Sequence, residues 1–106
     1  MKIRLSETAL RVRITAVEQE KIMRGETVQL SWDIGSSPLS IEILLSDRNE
    51  GELVMKHNRV SLLLPDQATN LWHSNPRTPI AFKSLLSSKQ TLDIEIELDL
   101  RERVPS

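Results

Sequence analysis

Four carboxylates stand at alternate positions near the end of the sequence: Asp93, Glu95, Glu97 and Asp99. On a β-strand each residue rises about 3.4 Å, so alternate side chains share one face with neighbours about 6.8 Å apart. A calcium ion needs six to eight oxygens converging at about 2.3 to 2.6 Å. A straight ladder diverges, so these residues by themselves predict no metal site. In water each adjacent like pair costs about 0.6 kcal/mol, and the ladder therefore needs basic neighbours. Lys2, Arg4, Arg11 and Arg13, alternating with Ile3, Leu5, Leu10, Val12 and Ile14, can supply them. If the terminal strands lie side by side, opposed charge pairs contribute roughly 0.2 to 1 kcal/mol each and set the register. This reading gives all eight residues a structural role.

Other chemistry finds little support. Left free, the same four cations could hold phosphate, but nucleic-acid binding also needs aromatic platforms for stacking. The only aromatics are Trp32, Trp72 and Phe82, and the formal net charge is −1, so a nucleic-acid partner is disfavoured. Trp32 and Phe82 fall on the apolar phase of their strands and read as core. His57 sits in a predicted turn. His73 ends a predicted helix, where a protonated imidazole suits the helix dipole. No Gly-x-Ser-x-Gly elbow surrounds any serine. Gly25, Gly35 and Gly51 are the only glycines and stand too far apart for a phosphate loop. With no cysteine there is neither thiolate catalysis nor a cysteine-rich zinc site. No catalytic residue, metal ligand or cofactor is assigned. One surface remains, Trp72, His73 and Arg77, because Trp and Arg are enriched at binding hot spots. These three are the interaction candidates if the Trp72 ring is exposed; if it is buried, Trp72 belongs to the core.

The elements that would position these residues are mostly strands. At 106 residues the chain makes one domain, 1–106, because two separate cores could not both be stabilised at this length. Apolar residues make up 39% and charged residues 27%, which excludes a disordered tail. The charged first ten residues predict no signal peptide, and no apolar run approaches the ~20 residues that cross a bilayer. The chain reads as soluble and cytoplasmic.

Strict alternation marks strands at Leu92 to Leu100, Val28 to Ile34 and Ile41 to Leu45. Gly35-Ser36-Ser37-Pro38 is a turn between the last two, and further breaks fall at Asp47 to Gly51, His57-Asn58 and Ser87 to Gln90. Asn58 suits a left-handed turn position, and only two residues separate Lys56 from Arg59, so that hairpin is tight. Thr15 with Glu18 three residues on forms a capping box, predicting a helix from Ala16 to Arg24 that Gly25 stops. Pro65 suits a first helical position and opens a second helix that ends before Pro76.

These elements repeat. Two strands, a helix and two strands occupy residues 1–46, and the same order recurs over 52–100. Val28 and Leu30 match Ile80 and Phe82, while Ile41, Ile43 and Leu45 match Ile94, Ile96 and Leu98. In the helices Gln19, Ile22 and Met23 fall on Ala68, Leu71 and Trp72. The expected fold is α+β: about eight mainly antiparallel strands in a barrel or a two-sheet sandwich, with two short helices and a pseudo-twofold ββαββ duplication.

The opening Met1-Lys2-Ile3-Arg4, followed by Leu10-Arg11-x-Arg13-x-Thr15-x-x-Glu18, resembles the start of a family of small bacterial proteins known only as a domain of unknown function. The likeness is specific over roughly the first thirty residues, and beyond them it is one of length and strand order. Gln19 stands where members of that family carry an apolar residue. The resemblance implies a bacterial cytoplasmic source and supplies no catalytic or binding residue. Two functional readings stay open. One is a small non-enzymatic protein acting by protein contact, as a homodimer or with another protein. The other is a small-ligand or metal-binding protein using a cleft between the halves, with His57, His73 and the acidic strand as its chemistry.

Overall fold

Alternating apolar residues make strands throughout the chain, and two short helices interrupt them. The computed structural model describes residues 1–35, 37–86 and 88–99; Ser36, Ser87 and Leu100, assigned above to turns and to the last strand, lie outside these. The elements are β1 (Lys2–Leu5), β2 (Ala9–Ile14), α1 (Ala16–Met23), β3 (Val28–Ile34), β4 (Ser37–Leu45), β5 (Glu52–Lys56), β6 (Arg59–Leu64), α2 (Ala68–Ser74), β7 (Ile80–Leu85) and β8 (Thr91–Leu98).

The α1 start follows local chemistry. Thr15 Oγ1 accepts the Glu18 N–H at 3.1 Å, and the Glu18 carboxylate accepts the Thr15 N–H at 2.9 Å. Both donors would otherwise be orphaned at the helix end. Gly25, with φ of 87°, turns the chain out of the helix. The second helix begins later than its proline suggests. Pro65 is buried, the Asp66 N–H donates to the Arg48 carbonyl at 2.8 Å, and the Ala68 N–H donates to the Pro65 carbonyl. Those bonds hold Pro65 to Gln67 as a turn against the preceding loop, so α2 starts only at Ala68 and has no side-chain cap. In the tight hairpin Lys56 pairs with Arg59, and it is His57, not Asn58, that takes the left-handed conformation, at φ 52°. Pro38 lies inside β4 opposite Asp33, in a stretch that extends beyond the β6 ladder, where its missing N–H costs no bond to that neighbour.

The strands form two four-stranded sheets, ordered β1-β2-β8-β7 and β3-β4-β6-β5. Each sheet therefore takes one hairpin from residues 1–46 and one from 52–100. The outer pairings are antiparallel and the central ones, β2 with β8 and β4 with β6, are parallel. Register matches between the sheets. Leu10, Val12 and Ile14 face Ile94, Ile96 and Leu98 in one, and Val60, Leu62 and Leu64 face Ile41, Ile43 and Leu45 in the other.

The sheets form a sandwich, and the barrel alternative is wrong. Among the described residues no ladder joins an edge of one sheet to an edge of the other. Where the edges approach, at β5 and β7, Gly51 lies against the Phe82 ring, so side-chain packing sets the spacing in place of backbone pairing. Val12, Ile14, Ile43, Leu62, Leu64, Ile94 and Ile96 form a continuous buried core with Ile22 of α1 and Trp72 of α2. The helix alignment offered by the sequence is off by one, because Leu71 is exposed and Trp72 takes the place corresponding to Ile22. Buried Gln19 donates its amide to the Pro76 carbonyl at 2.8 Å, which satisfies a polar group at a position where apolar was expected.

Topology also sets the two ends of the molecule. β2 and β6 each run into a helix, and β3 and β7 each leave one. All four hairpin turns therefore lie at the ends of the sheets remote from the helices. No helix among the described residues is long and apolar enough to cross a membrane.

Candidate functional site

Parallel pairing of β2 with β8 brings the basic and acidic ladders onto the same outer face, with Arg11 level with Glu95 and Arg13 level with Glu97. Arg13 Nε donates to Glu97 Oε1 at 3.0 Å. Lys2 Nζ lies 3.1 Å from Asp99 Oδ2, and Asp99, just past β8, is buried. On the far side Lys83 Nζ is 3.9 Å from Asp93 Oδ1. Arg4, Arg11 and Glu95 enter no ion pair among the described residues. The Arg13–Glu97 side chains are about a third exposed, at 37% and 29%, so solvent screens their attraction.

The outer face of the other sheet is polar without being charge-zipped. A shallow recess of about 800 Å³ crosses β3, β4, β6 and β5 and so spans strands from both parts of the chain. Gln29 Nε2 donates to Ser31 Oγ at 2.9 Å, and Ser61 Oγ donates to Glu42 Oε1 at 2.7 Å. No imidazole hydrogen-bonds to Ser61 or Glu42 among the described residues, so the pair lacks the base that would activate a nucleophile. This recess was not found from sequence. Its only signal there was serine and glutamate on the polar phase of β3, β4 and β6, which any wet strand face shares.

The histidines are far apart in the topology. His57 sits at a hairpin turn and His73 in the last turn of α2, at opposite ends of the sandwich. No three His, Asp or Glu side chains among the described residues come together as a metal ion requires. The Trp72 corner also comes apart. Trp72 is 1% exposed and its indole N–H donates to the Thr78 carbonyl at 2.9 Å, so the ring packs the core and presents nothing to a partner. His73 and Arg77 are exposed, and the Arg77 backbone N–H is tied to Asn75 Oδ1 at 3.0 Å.

A second surface was missed because it depends on topology. Each hairpin leaves one large apolar side chain exposed beside its turn: Leu5, Leu39, Met55 and Leu85. The only other exposed large apolar residues among those described are Val17 and Leu71 on the helices.

Compared with protein families, residues 1–102 match the model of a family of unknown function, DUF7009. The chain belongs to DUF7009. The match takes in both sheets and both helices. A search of curated proteins and of solved structures finds no match. Membership of DUF7009 transfers no catalytic or binding residue, so what this chain does has to be argued from its own surfaces.

Proposed function

We propose that this DUF7009 chain is a non-catalytic contact module, one domain built from two repeats, that associates with a second copy of itself through the turn end of the sandwich. The observation that carries the reading is the exposed apolar residue on every one of the four hairpins at that end. Leu5 and Met55 hold equivalent positions, opposite Leu10 and Val60 in their hairpins, and are 70% and 67% exposed. A surface that repeats its own pattern is suited to the self-complementary contact of a twofold dimer. The edges at β1 and β3, which do not face the other sheet's edge as β5 and β7 do, add backbone groups that a second chain can engage. A bacterial cytoplasmic setting is part of the proposal and rests on the resemblance of the opening residues.

The test is mass measurement by light scattering across a concentration series, for the wild-type chain and for a Leu5→Asp, Met55→Asp variant. A wild-type dimer that becomes a monomer with unchanged far-UV circular dichroism supports the reading. A wild-type chain that stays monomeric up to millimolar concentration overturns it.

The recess across β3, β4, β6 and β5 favours a second reading, a small polar ligand held on the outer face of that sheet, because Gln29, Ser31, Ser40, Glu42 and Ser61 line it with hydrogen-bonding groups. Amide shifts at Ser40, Arg59 and Ser61 on addition of a metabolite mixture would favour that reading, and their absence would remove it.

A further inference from the structure

We propose that Arg4 and Arg11, on the outer face of β1 and β2, form a site for a phosphate group carried by a small molecule. Strand register sets Arg4 directly opposite Arg11 and Lys2 directly opposite Arg13. Like charges opposed across an antiparallel pair destabilise a sheet, and here two such pairs are adjacent. The acidic residues relieve one of them, through Arg13 with Glu97 and Lys2 with Asp99. In the other, neither guanidinium has an ion pair or a side-chain hydrogen bond among the described residues. Glu95 stands level with Arg11 without pairing to it.

Two recesses meet over this pair. One, of about 210 Å³, is lined by Lys2, Ile3, Arg4, Arg11 and Arg13. The other, of about 410 Å³, is lined by Arg4, Ser6, Thr8, Ala9 and Arg11. A guanidinium is a planar fork of donors matched to the oxygens of a phosphate, and two forks side by side supply both the charge and the directional bonds. A bound dianion would also convert the mutual repulsion of Arg4 and Arg11 into attraction to a common partner. A small molecule fits better than a nucleic acid. The partly buried Trp32 and Phe82 and the buried Trp72 pack on the core, so this face has no ring on which a base could stack.

The experiment is an NMR titration of the full chain with inorganic phosphate, with a sugar phosphate and with a short mixed-sequence RNA. Saturable shifts of the amides around residues 4 and 11 with either phosphate support the site. Arg4→Gln and Arg11→Gln should each weaken binding on the order of tenfold or more, because each removes a charged fork. Arg11→Lys, which keeps charge and loses the fork, should fall between. Lys56→Gln, on the other sheet, should leave affinity unchanged. Without ligand, both Gln variants should melt at or above the wild-type temperature, since a repulsion has been removed. Absence of saturable shifts with both phosphates, equal weakening by Lys56→Gln, or binding of the RNA alone would each overturn the proposal.

Discussion

Gly51 gives the sharpest test of how the two sheets meet. It is half-buried just before β5, its φ is not in the left-handed region, and a Cβ placed on it would collide with Cγ, Cδ1 and Cε1 of Phe82 in β7. Close approach, not backbone freedom, is therefore what requires glycine here. Gly51→Ala forces the ring to move, and overpacking of this kind costs about 1 to 3 kcal/mol. Alanine also restricts the unfolded chain, which returns about 0.4 to 1 kcal/mol where the backbone is compatible. The ring is packed against the core and three of its atoms are struck, so the expected net loss is about 2 kcal/mol. For a chain of this length that lowers Tm by roughly 8 to 16 °C. In a Phe82→Ala background the obstacle is gone, and the same glycine substitution should be neutral or stabilise by up to about 1 kcal/mol. Urea denaturation of the four proteins closes the cycle, with an expected coupling of about 2 to 3 kcal/mol. Equal effects of Gly51→Ala with and without the Phe82 ring would show that the sheets do not touch at this point.

Three further outcomes follow from single contacts. Trp72→Phe keeps an aromatic ring in the core but leaves the Thr78 carbonyl without its donor, and should cost about 1 to 3 kcal/mol in chemical denaturation. Thr15→Ala removes one half of the α1 capping box and should cost about 0.5 to 2 kcal/mol, with faster amide exchange at Glu18 than elsewhere in the helix. A double-mutant cycle on Arg13 and Glu97 should give no more than about 1 kcal/mol of coupling, shrinking as salt is added, because both side chains are partly in water.

The strands and the first helix were legible because their causes are local. Period-two alternation in β8 and β4 follows from having one buried face, and the Thr15–Glu18 box satisfies backbone donors three residues apart. The start of α2 was not legible. Pro65 is compatible with a first helical turn, but a backbone bond from Asp66 to Arg48 in another loop holds it outside the helix. Trp72 was ambiguous for a similar reason, since its burial depends on a carbonyl six residues further on and on the sheets packed around it.

What the amino-acid order determined by itself was an inventory: eight strands with an apolar and a polar face, two short helices, a matching pattern in each part of the chain, and one basic and one acidic ladder. Only the tertiary structure decided which hairpin pairs with which. It joins β2 to β8 and β4 to β6 across the length of the chain, so each sheet is assembled from both parts. That choice sets Arg13 beside Glu97, leaves Arg4 and Arg11 facing each other with no ion pair among the described residues, and collects four apolar side chains at the turn ends. The physical reason is that periodicity says which face of a strand is buried but not what it is buried against. Partner and register are settled when the apolar faces of distant strands close over a shared core.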